Sequence, residues 1–226
     1  MIVTWLGHSC FLLKSKDGLT VLIDPFQESE VGYALPHLEA DIVIISHDHD
    51  DHNNVEAAGE KADVIFGPGE YISMERELLG VKSYHDDKRG RLRGPNTIFC
   101  FELDGIRVCH LGDLGHALSK KQIEEIGRVD LLFIPVGGIY TIDAATAGKV
   151  MEQLHPKIAV PMHYQTAALS FLLEPVDDFL RGREHSGPQE SLHLTGEDLT
   201  GKDLSGQGKV VVLSCPAAEK PGGSID

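Results

Sequence analysis

The chain has 226 residues, of which 42% are hydrophobic, and its 20 Lys and Arg residues against 35 Asp and Glu residues give a formal net charge of -15 at pH 7. This length and composition suit one hydrophobic core, so we expect residues 1–226 to form a single domain. The negative charge argues against non-specific binding to nucleic acid or to anionic membranes, because both attract basic surfaces.

The first part of the chain is predicted to be rich in β-strands. Short apolar runs at Ile2 to Leu6, Phe11 to Lys14 and Thr20 to Ile23 predict three strands, with a turn before the third. The unbroken apolar run from Ile42 to Ser46 predicts a buried strand. A short helix is expected near Val55 to Glu60.

Six residues directly after the Ile42 to Ser46 strand form the densest set of metal-ligand side chains in the chain. They are His47, Asp48, His49, Asp50, Asp51 and His52. Neutral imidazole and carboxylate bind borderline and hard divalent ions. His47 and His49 can point the same way and share one ion, while Asp51 and His52 lie further round the turn and can reach a second. A solvated polar turn is the weaker interpretation, given the strand that precedes the cluster.

The middle of the chain contains the strongest predicted hairpin. Its strands are Thr97 to Leu103 and Ile106 to His110, and Asp104-Gly105 supplies the turn between them. The second strand leads through Leu111 and Gly112 to Asp113. A well-registered hairpin would therefore hold the Asp113 carboxylate in place.

The second half of the chain alternates predicted helices and strands. Ser119 is expected to cap a helix, and Asp143 to cap another. Buried strands are predicted at Leu131 to Pro135 and at Ile158 to Met162. This pattern indicates a mixed α/β or α+β domain.

The residues beyond Thr166 give weaker signals. The runs Leu169 to Leu173 and Val176 to Leu180 are expected to be helical, and Lys209 to Leu213 offers a last edge strand. Residues 183–208 are polar and rich in Gly, so they are expected to form a surface loop or a flap over the site, with the loop favoured. Residues 217–226 are expected to be a disordered tail.

The pattern His-x-His-x-Asp-His after a strand resembles the signature of the metallo-beta-lactamase superfamily. The resemblance extends from Met1 to about Thr166. Trp5-Leu6-Gly7-His8-Ser9 and Val21-Leu22-Ile23-Asp24-Pro25 further resemble the branch that contains ascorbate-6-phosphate lactonase and many metal-dependent hydrolases. The resemblance implies the metallo-beta-lactamase fold, a four-layer αββα sandwich with its metals at one edge.

The same resemblance implies three further ligands at the ends of later strands. These are a His for the first ion, a bridging Asp and a last His. Asp113 matches the bridging residue and His163 the last His. His85 is preferred as the remaining ligand of the first ion. His110 is its rival, although its closeness to Asp113 better suits a residue that donates a hydrogen bond behind the ligands.

In the related branch an early His and an early Asp lie beside the metals, which implies roles for His8 and Asp24. Asp24 could accept a hydrogen bond from the non-ligating nitrogen of a metal-bound His, and a simple Asp-Pro turn is an equal alternative. His8 could donate to a ligand, contact the substrate or only turn the chain. The sequence leaves these alternatives open.

The implied cofactors are two divalent metal ions. Zinc is favoured, with manganese and iron as alternatives, because imidazole and carboxylate serve all three. A metal-bound hydroxide would then attack the substrate, with Asp51 acting in catalysis as a ligand. His116 is the candidate acid for the leaving group, and Tyr140 and Tyr164 are weaker candidates.

The leading functional interpretation is a metal-dependent hydrolase of a small ester, lactone or phosphoester, and an anionic substrate is compatible with it. A phosphodiesterase or nuclease of the same superfamily is the first alternative, which the acidic composition disfavours. A non-catalytic metal-binding module is the second, but structural zinc sites are usually closed and rich in cysteine. No nucleic-acid or membrane partner is expected, and a homo-oligomer is left open.

The four cysteines are widely spaced and mostly lie in apolar runs: Cys10, Cys100, Cys109 and Cys215. We interpret them as reduced residues of the core. The chain opens on a predicted strand, and no run approaches the roughly twenty apolar residues that span a bilayer. These features favour a cytoplasmic protein.

Overall fold

Two β-sheets form the centre of the protein, seen in a computed structural model that describes residues 1–199 and 208–215. The first sheet contains β1 Ile2–Gly7, β2 Cys10–Lys14, β3 Thr20–Ile23, β4 Ile42–Ile45, β5 Asp63–Phe66 and β13 Ser191–His193. The second contains β6 Gly69–Ser73, β7 Arg76–Tyr84, β8 Pro95–Leu103, β9 Ile106–His110, β10 Leu131–Pro135, β11 Ile158–Met162, β12 His185–Gln189 and β14 Lys209–Leu213. The described helices are α1 Glu28–Val31, α2 Lys120–Ile126, α3 Ala144–Leu154 and α4 Asp177–Leu180, with 3-10 turns at Val55–Ala58 and Glu197–Leu199.

The two sheets pack against each other through their inner faces. The six-stranded sheet has the order β13-β1-β2-β3-β4-β5, and the eight-stranded sheet has the order β12-β14-β11-β10-β9-β8-β7-β6. Phe11 on β2 and Phe133 on β10 bring their ring centroids to 4.1 Å across the interface. The predicted mixed α/β architecture with two large sheets is therefore confirmed.

The central strands are apolar at every position because both of their faces are covered. All residues of β4 and of β10 are buried. In strands that run parallel to their neighbours this continuous apolar pattern replaces the alternation of a half-exposed strand. The parallel pairing of β9, β10 and β11 also brings the carboxyl ends of these strands to one edge of the sheet.

Side chains predicted to cap helices do so in the structure. Ser119 and Gln122 form a capping box at the start of α2, in which the Ser119 backbone N–H donates to Gln122 Oε1 over 3.0 Å. Asp143 Oδ1 accepts from the backbone N–H of Thr146 over 2.7 Å at the start of α3. Both predicted helix starts are confirmed.

The hairpin of β8 and β9 is confirmed, and a second hairpin was not predicted. Leu103 pairs with Ile106, and the turn residues Asp104 and Gly105 have φ of 54° and 76°, as a two-residue hairpin of the Asp-Gly type requires. The unpredicted hairpin joins β6 to β7. Its turn at Met74-Glu75 has positive φ without the Gly or Asn that normally signals such a turn.

The interpretation of residues 183–208 as a surface loop or flap needs correction in its described part, 183–199 and 208. This part contains β12, which pairs with β14, and β13, which pairs with β1. Both strands are short and lie at sheet edges, where side chains stay polar and periodicity is weak. The run Leu169 to Leu173 is not helical, whereas α4 occupies part of the other expected helix.

The tail at 217–226 lies outside the described residues. Within the described ranges, no helix combines the length and the apolar character needed to cross a membrane.

Candidate metal centre

Four chain segments bring the predicted ligands to one edge of the two sheets. The His47 to His52 loop begins two residues after β4 in the six-stranded sheet. In the eight-stranded sheet, His85 directly follows β7, Asp113 lies three residues after β9, and His163 directly follows β11. The structure therefore brings together residues that are far apart in the chain.

One group of ligand atoms consists of three histidines. Ligand-type nitrogens of His47, His49 and His85 all lie within 4.8 Å of one another. The His47 and His85 ring centroids are 4.9 Å apart, and those of His49 and His85 are 5.2 Å apart. This spacing allows three imidazoles to converge on one ion.

A second group lies beside the first and contains a carboxylate. Ligand-type atoms of His8, Asp51, His52 and His163 lie within 4.8 Å of one another. His52 Nε2 is 3.6 Å from Asp51 Oδ2. The second group thus offers both imidazole and carboxylate to an ion.

The carboxylate of Asp113 lies between the two groups. Its Oδ2 atom is 3.2 Å from His85 Nε2 and 3.0 Å from His163 Nε2, and its Oδ1 atom is 3.4 Å from His52 Nε2. One side chain therefore contacts members of both groups, which is the position expected of a bridging ligand.

The backbone around Asp113 is fixed by contacts that sequence reasoning did not identify. Asn96 Oδ1 accepts from the Asp113 N–H over 2.9 Å, and Asn96 Nδ2 donates to the Leu111 carbonyl over 2.9 Å. Gly112 has a φ of 54°, and a Cβ atom at this position would lie 2.6 Å from Ser46 Cβ. Only glycine fits there, so the Gly-Asp pair is required by packing as well as by chemistry.

Unpartnered buried atoms show that the site fits metal ions. The buried side-chain atoms without a hydrogen-bond partner include His47 Nε2, His52 Nε2 and Asp113 Oδ1, which belong to three residues whose ligand-type atoms lie within 4.8 Å of one another. An unsatisfied buried polar atom costs about 1–3 kcal/mol. Such a cluster is expected where a bound ion supplies the missing partner, and an all-His and Asp donor set suits an open divalent metal site.

Asp24 and Ser46 set the tautomers of two histidines. Asp24 Oδ2 accepts from the Ser46 hydroxyl over 2.6 Å and from His52 Nδ1 over 3.0 Å. Because the Ser46 proton goes to Asp24, the Ser46 oxygen accepts from His47 Nδ1, 2.9 Å away. The Nε2 lone pair of His47 is then available to a metal, and that of His52 becomes available when its Nε2 proton leaves. Asp24 thus makes the contact expected of it, whereas the sequence analysis did not predict the role of Ser46.

The electrostatics of this buried site link metal binding to the protonation of its histidines. Burial lowers the pKa of His47 well below its usual range, so this imidazole is in the neutral form that binds metals. Burial would raise the pKa of Asp113, but His163, His52 and His85 hold it well below its usual range. Burial would lower the pKa of His52, yet Asp113 and Asp51 raise it well above. A divalent ion and the His52 proton therefore compete for the same carboxylates.

His8 lies in the second group, in contact with Asp51. Its Nε2 atom is 3.2 Å from Asp51 Oδ2, and its ring centroid is 4.2 Å from that of His163. Burial, reinforced by His163, lowers the pKa of His8 to about 4. Of the alternatives left open for His8, the geometry shows a contact with a candidate ligand.

His110 was expected to donate a hydrogen bond behind the ligands, but in the structure both of its ring nitrogens bond to backbone groups. Its Nδ1 atom accepts from the Gly112 N–H over 3.1 Å, so its Nε2–H donates to the Ser9 carbonyl over 3.0 Å. The buried side chain of His110 points inward from β9, so both ring nitrogens form their hydrogen bonds between the two sheets. The structure places His85, and not His110, beside His47.

His116, the candidate acid, lies away from the candidate ligands in the structure. Its Nε2 accepts from the Tyr84 N–H over 3.2 Å, and its Nδ1 donates to the Ala117 carbonyl over 2.8 Å. Gly115 turns the chain away through its own hydrogen bond to the Tyr84 carbonyl. His116 consequently lines a separate cavity beside β7 and α2.

The two tyrosines considered as weaker acids have different environments. Tyr164 is buried and stacks on Trp5 with ring centroids 5.2 Å apart, and burial raises its pKa well above the usual range. Tyr140 is exposed and lines the cavity in front of the candidate ligands. This cavity has a volume of about 580 Å³ and is also lined by Arg93 and Phe171, which sequence reasoning missed. No motif marks either residue in the sequence.

Comparison with known proteins agrees with this geometry. The family profile described as Beta-lactamase superfamily domain matches residues 2–163. A UPF0173 metal-dependent hydrolase of Archaeoglobus fulgidus is 32% identical over 199 residues, which cover 75% of this chain and 85% of the relative. A UPF0173 metal-dependent hydrolase of Thermoplasma acidophilum is 30% identical over 189 residues, covering 73% and 83%.

A solved structure gives the same result over a larger share of the chain. The crystal structure of a proposed Zn-dependent hydrolase of the metallo-beta-lactamase superfamily from Thermotoga maritima is 40% identical and superimposes with a TM-score of 0.72. The match covers 94% of this chain and 97% of that one.

Proposed function

The chain belongs to the beta-lactamase superfamily, and we propose that this metal-dependent hydrolase cleaves a small ester, lactone or phosphoester at a centre of two divalent ions. The proposed ligands of the first ion are His47, His49 and His85. Those of the second are Asp51, His52 and His163, with Asp113 between the two. The observation that carries the proposal is the contact of Asp113 Oδ2 with both His85 and His163, at 3.2 and 3.0 Å.

Zinc is the proposed metal, and manganese and iron suit the same donors. When bound, a pair of divalent ions supplies a water of lowered pKa and a Lewis acid for the substrate oxygen. The protein residues orient the donors: Asp24 holds His52, and Ser46 holds both Asp24 and His47. A rigid donor set of this kind keeps the centre in its reactive geometry without reorganisation.

The cavity in front of the donors supports a small substrate. Its volume of about 580 Å³ lies within the usual range of small-molecule sites, about 300–1,000 Å³. A nuclease would need a basic surface along a nucleic-acid backbone, which the net charge of -15 does not favour. A small molecule is therefore the proposed substrate, with the cytoplasm as the proposed location, since Cys10, Cys100 and Cys109 are buried thiols suited to a reducing compartment.

Metal analysis of the purified protein, combined with a substrate screen, tests this function. We expect about two divalent ions per chain and turnover of at least one class among p-nitrophenyl esters, lactones and bis-phosphodiesters. Treatment with a chelator should remove the turnover, and added metal should restore it. Turnover that a chelator leaves unchanged would show that the proposed mechanism is wrong.

The substitution Asp113→Asn tests the bridging role. It keeps the volume of the side chain but weakens its hold on two ions, so we expect loss of turnover with an unchanged circular dichroism spectrum. Asp178→Asn, on the exposed helix α4, is the control and should keep full activity. An active Asp113→Asn variant would assign the bridging role to another residue.

A further inference from the structure

We propose that Arg93 binds an anionic group of the substrate, so that the preferred substrates are small esters, lactones or phosphoesters that also carry a carboxylate or phosphate. This inference rests on the proposed function and specifies its substrate class. Among the described residues that line the cavity of about 580 Å³, Arg93 is the only Lys or Arg. The candidate ligands His49, His85 and His163 line the same cavity.

Arg93 has no carboxylate partner of its own. Among the described residues, no Asp or Glu lies within 4.0 Å of its guanidinium, whereas Arg76 and Arg181 each pair with an aspartate at 2.6 and 2.7 Å. One Arg93 nitrogen, Nη2, donates to the Ile139 carbonyl over 3.1 Å. A guanidinium has five N–H donors in a planar fork that matches a carboxylate or phosphate. Most of this donor capacity is available to a ligand.

The loop that carries Arg93 is held in place by one buried carboxylate. Asp86 Oδ2 accepts from the backbone N–H groups of Leu92 and Arg93 over 2.9 and 2.8 Å, and Asp86 Oδ1 accepts from those of Lys88 and Gly90 over 2.7 and 2.9 Å. The loop begins directly after His85, so one segment presents both a candidate ligand and the arginine. Such preorganisation reduces the entropy that is lost when a ligand binds.

Aromatic side chains form the wall beside the guanidinium. Arg93 lies over the Tyr140 ring, with 5.5 Å between the guanidinium carbon and the ring centroid. Tyr140 in turn meets Phe171 edge to face at 6.0 Å. The cation–π contact restrains Arg93 without using its donors. The rings offer an apolar surface to the carbon skeleton of a substrate.

The acidic residues of the cavity oppose an anion less than Arg93 favours it. Glu30, Asp48 and Asp50 also line the cavity but are exposed. The other two lining carboxylates, Asp51 and Asp113, are proposed ligands of divalent ions, whose positive charge offsets theirs. Water and salt screen exposed charges over about 8 Å at physiological ionic strength, and exposed pairs contribute little. Arg93 is half-buried and offers directed donors, so its interaction with an anion is stronger.

A matched pair of lactones tests the assignment in catalysis. The pair is γ-valerolactone and its analogue with a carboxylate in place of the methyl group. For the Zn-loaded Arg93→Met variant we expect KM for the carboxylate lactone to rise about tenfold or more, with kcat and the kinetics of γ-valerolactone nearly unchanged. The KM of Arg93→Lys for the carboxylate lactone should lie between the values for Arg93→Met and the wild type, because lysine keeps the charge but not the planar fork of N–H donors. Arg91→Met, on the same loop but outside the cavity, should match the wild type.

Calorimetric titration separates this inference from the proposed function. Benzoate and phenyl phosphate are titrated into the Zn-loaded wild type and the Zn-loaded Arg93→Met variant, and a preference for one shows which anion suits the site. We expect the variant to bind the preferred anion about tenfold more weakly or worse. Suppose that the wild type cleaves neither lactone, but the Arg93→Met variant binds the anion more weakly than the wild type does. The assignment of Arg93 then stands, and the proposed hydrolysis of esters or lactones is wrong. Equal affinity in both proteins, or no binding of either anion by the wild type, would overturn the assignment.

Discussion

The backbone N–H of His163 donates a hydrogen bond of 3.1 Å to the carbonyl oxygen of His8, and both residues have a φ of 52°. His8 follows β1 of one sheet and His163 follows β11 of the other, so this bond joins the sheets at the metal centre. A non-glycine residue in the left-handed region costs about 1–3 kcal/mol and persists only where the surrounding structure holds it. The strain lies at the site and serves to direct two imidazoles into it.

Replacing His8 should weaken one metal site selectively. His8 Nε2 contacts Asp51 Oδ2 at 3.2 Å, so His8→Ala leaves that carboxylate less constrained. We expect affinity for the second ion to fall about 10–100-fold, with the first ion unaffected, in a titration against a chromophoric chelator. His8→Gly should lose the same affinity but be the more stable variant, because glycine tolerates a positive φ. Equal losses at both sites would instead indicate general damage to the fold.

Asp24→Asn should weaken metal binding, because Asp24 orients His52 directly and His47 through Ser46. The amide keeps the side-chain volume but cannot accept from the backbone N–H of Ser46, the Ser46 hydroxyl and His52 Nδ1 together, as the carboxylate does. We expect a loss of metal affinity of about 10–100-fold, measured by chelator competition. Asp41→Asn is the matched control, since Asp41 accepts from the N–H and hydroxyl of Thr20 in the same manner. The idea fails if both variants lose metal equally.

His116→Ala should leave the chemical step intact. Both of its ring nitrogens are engaged by backbone groups, and the ring lines another cavity. We expect kcat to stay within about twofold of the wild type, whereas loss of a general acid would cost about 100-fold or more. The variant should be less stable, because the Tyr84 N–H loses its acceptor. A fall in kcat of the larger size would instead support His116 as the acid.

The sequence predicted most clearly those parts of the fold where burial leaves a strong periodic signal. The continuous apolar runs of β4, β10 and β11 and the caps of α2 and α3 were all identified. The edge strands β12 and β13 and the hairpin of β6 and β7 were not. The residues of β6, β12 and β13 are largely exposed or polar, and in β7 charged residues interrupt the apolar ones. Pairing with a neighbouring strand, which a local pattern does not encode, holds these strands in their sheets.

For the metal centre, the sequence predicted side chains that carry the chemistry better than those that hold them. His47, His49, Asp51, His52, Asp113 and His163 stand out because each follows an apolar run, and the structure brings them together with His85. Ser46 and Asn96 gave no such signal, because their roles depend on contacts across the fold. The placement of His116 was also not predictable, because closeness to Asp113 in sequence does not determine the direction of the chain after a glycine turn.

Asp130 should make the stability of the fold sensitive to acid far from any metal chemistry. Its buried carboxylate accepts from the Arg107 N–H over 2.9 Å, pairs with Lys157 Nζ at 2.9 Å and is also bound by Arg128. Burial would raise the pKa of Asp130, but these contacts lower it overall. An aspartate with a lowered pKa contributes stability above its unfolded pKa of about 3.9, and this contribution is lost as the pH falls through the folded value.

We therefore expect Asp130→Ala to reduce the free energy of unfolding at pH 7 by about 1–3 kcal/mol, measured by urea unfolding of the metal-free protein. Removing the metals matters, because metal affinity is itself pH-dependent and would add its own slope. The difference between wild type and variant should shrink as the pH is lowered below about 4, since the wild-type carboxylate then loses its charge. Asp178→Ala, which removes an exposed pair with Arg181, should change stability by less than about 0.5 kcal/mol at either pH. A wild-type advantage over Asp130→Ala that persists undiminished in acid would mean that Asp130 stabilises the fold by packing and not by its charge.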